Sequence, residues 1–174
     1  MNDKFMQFVQ EHVAAADENT SAALSIEQEK QRWLSKLNEL GQFVDHVISS
    51  YVDAGIKTAT GIVTIAEDQT GEYQAPQVEI TVGQAVVKLK PVGTFLVGAW
   101  GRVDMEGPRG ICHLVLVPKG AKGPLSAFSP ESAAKSAASL DLVWKIMPPP
   151  PVMTYIELSR AVFLDMFMKV VRGG

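Results

Sequence analysis

Arg102, Asp104 and His113 are the residues of this chain whose types and spacing come nearest to a chemical site. Residues 95–106 and 111–117 read as the arms of a β-hairpin around the turn Gly107-Pro108-Arg109-Gly110. Pairing Glu106 with Ile111 sets Asp104 directly across from His113 and Arg102 beside both, on one sheet face with Trp100 and Val115. A carboxylate that orients an imidazole, with a guanidinium close by, can move protons or grip an anionic group. The plainer account of the trio is an ion pair and a hydrogen bond on the half-covered side of a sheet, an arrangement far commoner than an isolated acid/base dyad.

Other chemistries lack their parts. Gly93, Gly98 and Gly101 make a glycine-rich stretch, but no Gly-Lys-Ser/Thr follows, so phosphate has no cradle. Cys112 and His113 are adjacent on a strand and point to opposite faces, while His12 and His46 fall on separate helices, so no metal site is expected. Cys112 belongs to the apolar face, where a thiol is a small buried hydrophobe with a raised pKa and a poor nucleophile. No Gly-x-Ser-x-Gly elbow occurs. Lys88 and Lys145 follow Val86 and Val143 at two positions' remove, where an acid-x-Lys nuclease triplet would need an acid. No cofactor is expected.

The elements that must hold the trio follow from periodicity. Phe5, Phe8, Val9, His12 and Val13 give residues 2–16 an apolar stripe at helical spacing, and 17–24 is small and polar. Residues 1–24 thus read as a short helix and a connector with freedom to move, and 25–174 as a single α+β domain. Ser25 with Gln28 forms a capping-box start for a long helix carrying Trp33, Leu37, Leu40, Val44, Val47 and Tyr51, stopped by Gly55. The period then becomes two. Residues 58–66 form a strand, and Gly83-Gln84 a type II′ turn that pairs Val82 with Ala85, Ile80 with Val87 and Glu79 with Lys88. In the second hairpin Phe95, Val97, Ala99, Val103 and Met105 share a buried face with Cys112, Leu114 and Leu116.

Beyond Pro118, residues 119–139 are rich in Gly, Ala, Ser and Pro and read as a loop, with Ser129-Pro130-Glu131 able to cap one short helix. Residues 140–146 alternate as a strand, Pro148 to Pro151 stop it, and 152–158 resumes extended structure. Ser159 caps a last helix with Val162, Phe163, Met166, Phe167 and Val170 along its buried side, ended by Gly173. Its methionines read as gap-filling, and Trp33, Trp144 and Tyr155 as core aromatics. The fold class is therefore α+β, with a central antiparallel β-meander of six to seven strands packed against a long N-terminal helix and a C-terminal helix.

The 174 residues hold 47% hydrophobic and 20% charged residues, enough for one core. A formal net charge of -3 offers no field to hold a polyanion, so nucleic acid is not an expected partner. Met1-Asn2-Asp3-Lys4 lacks a basic lead before an apolar run, and the apolar stretches are too short or proline-broken for a bilayer, so no membrane contact is expected. A lone cysteine suits a reducing, cytoplasmic setting.

Pro91-Val92-Gly93-Thr94, then Gly101-Arg102-Val103-Asp104, Trp144, Tyr155-Ile156-Glu157-Leu158 and Phe163 form a pattern that resembles small bacterial proteins of no assigned activity. The resemblance spans most of the chain from Trp33 onward; it implies a bacterial source and carries over no functional residue. Together these readings point to an intracellular protein-binding module, such as an inhibitor or immunity protein neutralising a toxin or effector, or an accessory subunit. Glu67, Asp68, Glu72 and Glu106, on turns, are its candidate acidic contacts. The alternative is a small enzyme or ligand binder using the face around Trp100, Arg102, Asp104 and His113. The apolar stripe of the first helix makes a second copy of the chain a further candidate partner.

Overall fold

The computed structural model describes residues 2–94, 99–123 and 141–174. It begins with one unbroken helix, α1 (Asn2–Ser49). Spacings of four and three align Trp33, Leu37, Leu40, Val44, Val47 and Ile48, and each is at most 5% exposed. Tyr51, expected on this stripe, instead lies exposed past the helix end. A short 3-10 turn, Val52–Ala54, follows, and Gly55 closes it at φ +100 with its N–H on the Val52 carbonyl.

The connector expected at 17–24 is helical, and this corrects the reading of residues 1–24 as two pieces. No glycine or proline interrupts the chain there, and five alanines flank the polar run. A helix already nucleated by its packed half extends at the cost of propagation alone. Ser25 therefore sits in mid-helix, with no free N–H group to cap. Thr20 likewise turns its hydroxyl back, donating to the Ala16 carbonyl at 2.9 Å.

Seven strands follow among the described residues, each antiparallel to the next in chain order: β1 (Lys57–Glu67), β2 (Gly71–Val82), β3 (Ala85–Gly93), β4 (Arg102–Gly107), β5 (Gly110–Pro118), β6 (Leu142–Met147) and β7 (Ile156–Glu157). The β2–β3 register is the expected one. Val82 faces Ala85, Ile80 faces Val87 and Glu79 faces Lys88, with Gly83 at φ +60 in the turn. Ile80 and Val87 are wholly buried, whereas Glu79 and Lys88 pair at 3.6 Å on the other face.

β4 and β5 also keep the expected register, Glu106 opposite Ile111 and Asp104 opposite His113. Upstream the alternation slips. The Trp100 N–H donates to the Leu116 carbonyl at 2.7 Å and the Leu116 N–H to the Gly101 carbonyl at 2.8 Å, so two residues oppose one. Phe95 and Val97 lie outside the described residues, as do Leu140 and the cap expected at Ser129-Pro130-Glu131. β7 is shorter than the 152–158 expected: only Ile156 and Glu157 pair with β6. Just before them the Tyr155 N–H is drawn away to the Lys122 carbonyl.

The closing helix, α2 (Arg160–Arg172), starts at the Ser159 hydroxyl, which accepts the Val162 N–H, and ends at Gly173. It lies beside α1 on one face of the sheet, the Phe43 and Phe163 rings meeting edge to face at 5.8 Å. Ala99, expected beneath the helices with Val103 and Met105, is carried by the extra residue opposite Leu116 to the opposite face, where it joins a smaller cluster of Val115, Val117, Ala121 and Tyr155 over β5 and β6. There Lys145, only 5% exposed, donates to the carbonyls of Lys119 and Ala121 at 2.9 and 2.8 Å. Among the described residues no helix is long and apolar enough to cross a membrane.

The tightest point of helix on sheet is Gly101, where an added Cβ would fall inside the Trp33 ring. Gly101→Val therefore forces either the tryptophan or the strand to move. Overpacking of this kind costs about 2 kcal/mol, roughly 5 °C in Tm for a chain of this size. Thermal unfolding followed by circular dichroism checks it, and an unchanged Tm would mean that α1 is not seated there.

Candidate functional site

Three of the four residues expected at the polar face come together. The His113 ring places Nδ1 2.7 Å from Asp104 Oδ1, so with an ionised carboxylate as acceptor Nδ1 carries the proton and Nε2 is left as the acceptor. Arg102 Nη2 donates to Asp104 Oδ2 at 3.4 Å. Its Nε lies 3.0 Å from Oδ1 as an ion pair, but the N–H is not aimed at the oxygen and stays without a hydrogen bond. The Asp104 side chain is 14% exposed, that of Arg102 32% and that of His113 36%. Trp100 is not part of this group. The extra residue opposite Leu116 turns it away, and its ring packs against the main core beneath the helices.

Neighbouring side chains complete a charge-balanced face. Lys90 stands across from Asp104 and forms an ion pair with Glu106, and Glu79 and Lys88 pair next to them. Exposed pairs of this kind add about 0–1 kcal/mol each. Their arrangement balances the charged side chains of β2, β3 and β4 against one another.

The acidic turn residues are placed differently from one another. Asp68 and Glu72 are exposed. Glu106 is half-buried in its pair with Lys90. Glu67 is half-buried too, and its carboxylate is an internal hub rather than a free surface charge. It accepts from the Tyr73 hydroxyl and the Thr94 N–H, each at 2.7 Å, and from the hydroxyls of Thr94 and Thr70. Gly93 is required beside it, because a Cβ there would meet the Glu67 carboxylate. Burial, and then the Glu67 carboxylate, push the Tyr73 phenol well above its ordinary range. The buried Trp33 N–H approaches the same phenol without hydrogen-bond geometry to any acceptor.

A large concavity built from described residues opens at the other end of β4 and β5, where β6, the Pro148 to Pro150 segment, β7 and α2 meet. This groove encloses about 810 Å³, within the usual range for binding sites. Ile111, Met147, Val152, Met153, Ile156 and Met166 supply apolar walls. Arg109, Cys112, His113 and Lys169 are its charged or titratable lining residues, and no Asp or Glu is among them. Ile111 and Met153 are 58% and 57% exposed, an unusual state for large apolar groups sharing one surface. His113 joins the groove to the Asp104–Arg102 pair behind it.

The groove's apolar residues were absent from the expected site residues because they are scattered over five elements. Two signals in the chain belonged to it: the apolar Val152-Met153 directly after four prolines, and the Met-rich last helix. Met166 packs against the main core, as expected of it, and also walls the groove.

The arrangement can bind and orient, but its candidate nucleophile is inert. Cys112 also lines the groove, yet burial pushes its thiol up to about 11, with the Lys169 ammonium opposing that rise. Among the described residues no group of three or more His, Cys, Asp or Glu side chains is placed to hold a metal ion. Comparison with protein-family models, with curated proteins and with solved structures found no match.

The raised thiol gives a pH test with a definite sign. At pH 8 the folded protein should react with a thiol reagent about a hundredfold more slowly than the same chain in denaturant, from the two-unit gap between 9.0 and about 11. The folded state holds this proton more tightly than the unfolded one, so stability should fall as pH rises from about 9 to about 11. Stopped labelling with mass readout checks the first part; equal rates would place Cys112 on the open surface.

Proposed function

We propose that this chain is a protein-binding module, of the kind used by inhibitors and accessory subunits, that takes an acidic amphipathic segment of another protein into the groove between β5, β6, β7 and α2. One observation carries the reading: an apolar, methionine-walled concavity whose ionisable side chains are Arg109, His113, Lys169 and the neutral Cys112, with no carboxylate side chain. Methionines adapt their shape to a guest, and helix-in-groove recognition uses apolar anchors at three- and four-residue spacing. Basic rims select acidic guests by steering and by rejecting like charge.

A second reading is supported by His113. An imidazole held through Nδ1 by Asp104 at 2.7 Å, once it carries a proton on Nε2 as well, can donate to a small carboxylate ligand in the groove that His113 helps to line. The two readings separate on substitution, since His113→Ala weakens a small carboxylate strongly and a multi-anchor peptide little.

Fluorescence anisotropy with a labelled acidic amphipathic helical peptide, and with its lysine-reversed counterpart, tests the main reading. The acidic peptide should bind at least tenfold more tightly than the basic one. Met153→Glu and Ile111→Glu should each weaken it at least tenfold with Tm unchanged, because both side chains are already exposed. Equal binding of the two peptides, or indifference to both substitutions, would defeat the proposal.

A further inference from the structure

The groove has a complement within the same chain. Every residue from Lys4 to Ser25 of α1 is exposed, so this half of the helix runs free of the sheet as an arm about 33 Å long. Its stripe is apolar nonetheless. Phe5, Phe8 and Val13 are 69%, 51% and 55% exposed, the two phenylalanine rings stacking at 6.3 Å and His12 lying 4.0 Å from the Phe8 ring. Asp3, Glu11, Asp17 and Glu18 outnumber the single Lys4 over the first eighteen residues. The arm is therefore convex, apolar and acidic where the groove is concave, apolar and basic.

The arm cannot reach its own groove. It leaves the sheet at Trp33, beside Gly101 at the start of β4, whereas the groove is walled by Arg109 and Gly110 beyond the other end of that strand. Six residues of strand separate these points by about 20 Å. No glycine or proline lies in α1 before Gly41, so nothing lets the arm fold back. We infer that the arm of one copy seats its Phe5–Phe8–Val9–Val13 stripe in the groove of a second copy. Reciprocal seating about a two-fold axis fills both grooves and closes the assembly. This names the occupant of the groove and rests on the reading given under Proposed function.

The full-length chain carrying p-benzoyl-phenylalanine in place of Phe8 provides the test, because this photoprobe reacts readily with methionine side chains. Light scattering should give twice the chain mass at micromolar concentration. Irradiation should join position 8 of one copy to a peptide containing Met147, Met153 or Met166 of the other. Phe8→Glu and Met153→Glu should each raise the dimer dissociation constant at least tenfold, with helix content and Tm retained. A chain monomeric at that concentration, crosslinks confined to residues 5–13 of a second arm, or a dimer indifferent to Met153→Glu would each overturn the exchange. The acidic-peptide measurement is separate: if Met153→Glu abolishes peptide binding yet spares the dimer, the groove reading stands and only its occupant is wrong.

Discussion

The contact between Trp33 and Gly101 sets the position of nearly everything else. A glycine leaves a gap in the sheet surface at the start of β4, and the indole fills it. Trp144, its ring centre 5.9 Å from that of Trp33, donates its own N–H to the Lys36 carbonyl at 3.1 Å, so ring and backbone of α1 are held together. On the C-terminal side of Trp33 the four-and-three stripe is buried down to Ile48. On the N-terminal side, from Ser25 back to Lys4, no residue is buried. One tryptophan thereby divides a structural half of the helix from an arm and fixes the direction in which the arm points.

The same contact explains the division of labour on the sheet. Seating the indole requires Gly101 to face the helices, and the extra residue opposite Leu116 turns Trp100 toward the core as well. Arg102 and Asp104 then resume the alternation on the far face, where His113 meets them. That face consumes its carboxylates locally, Asp104 with Arg102 and His113, Glu106 with Lys90, and Glu79 with Lys88. Around the groove the balance is reversed. Lys169 pairs with an exposed partner, Asp165 one turn earlier, at 3.1 Å, and such a pair is readily exchanged for another.

How much of this could be read from the chain depended on whether one element carried two independent constraints. Glu79 opposite Lys88 and Ile80 opposite Val87 agreed on opposite faces, and a one-residue slip would have broken both, so that register was legible. Ser159 had a single capping role and an apolar run directly behind it, and it kept that role. Asp104 and His113 were legible because one hairpin holds both. Trp100 was misplaced because alternation was extended through Gly101, and a bulge leaves no mark on composition beyond the glycine itself. The polar run at 17–24 was read from local propensity, which a helix nucleated elsewhere overrides. The groove was illegible for a different reason: Ile111, Met153 and Met166 meet only through the sheet order and the path of α2, which no local pattern records.

The arm and the groove share one energetic feature that sets them apart from the rest of the surface. Each fully buried phenylalanine or methionine contributes roughly 1.5–3 kcal/mol, and neither element collects that gain within its own chain. Both are nevertheless held in shape, the arm as the extension of a packed helix and the groove between a sheet end, a proline run and α2. Surfaces ordered in advance lose little conformational entropy on association, so the burial gain is available to binding almost undiminished. A disordered tail with the same phenylalanines would surrender much of it on folding. The unbroken helix across residues 17–24 is therefore the feature that turns an exposed apolar stripe into a binding element, since a hinge there would cost the arm both its direction and its rigidity.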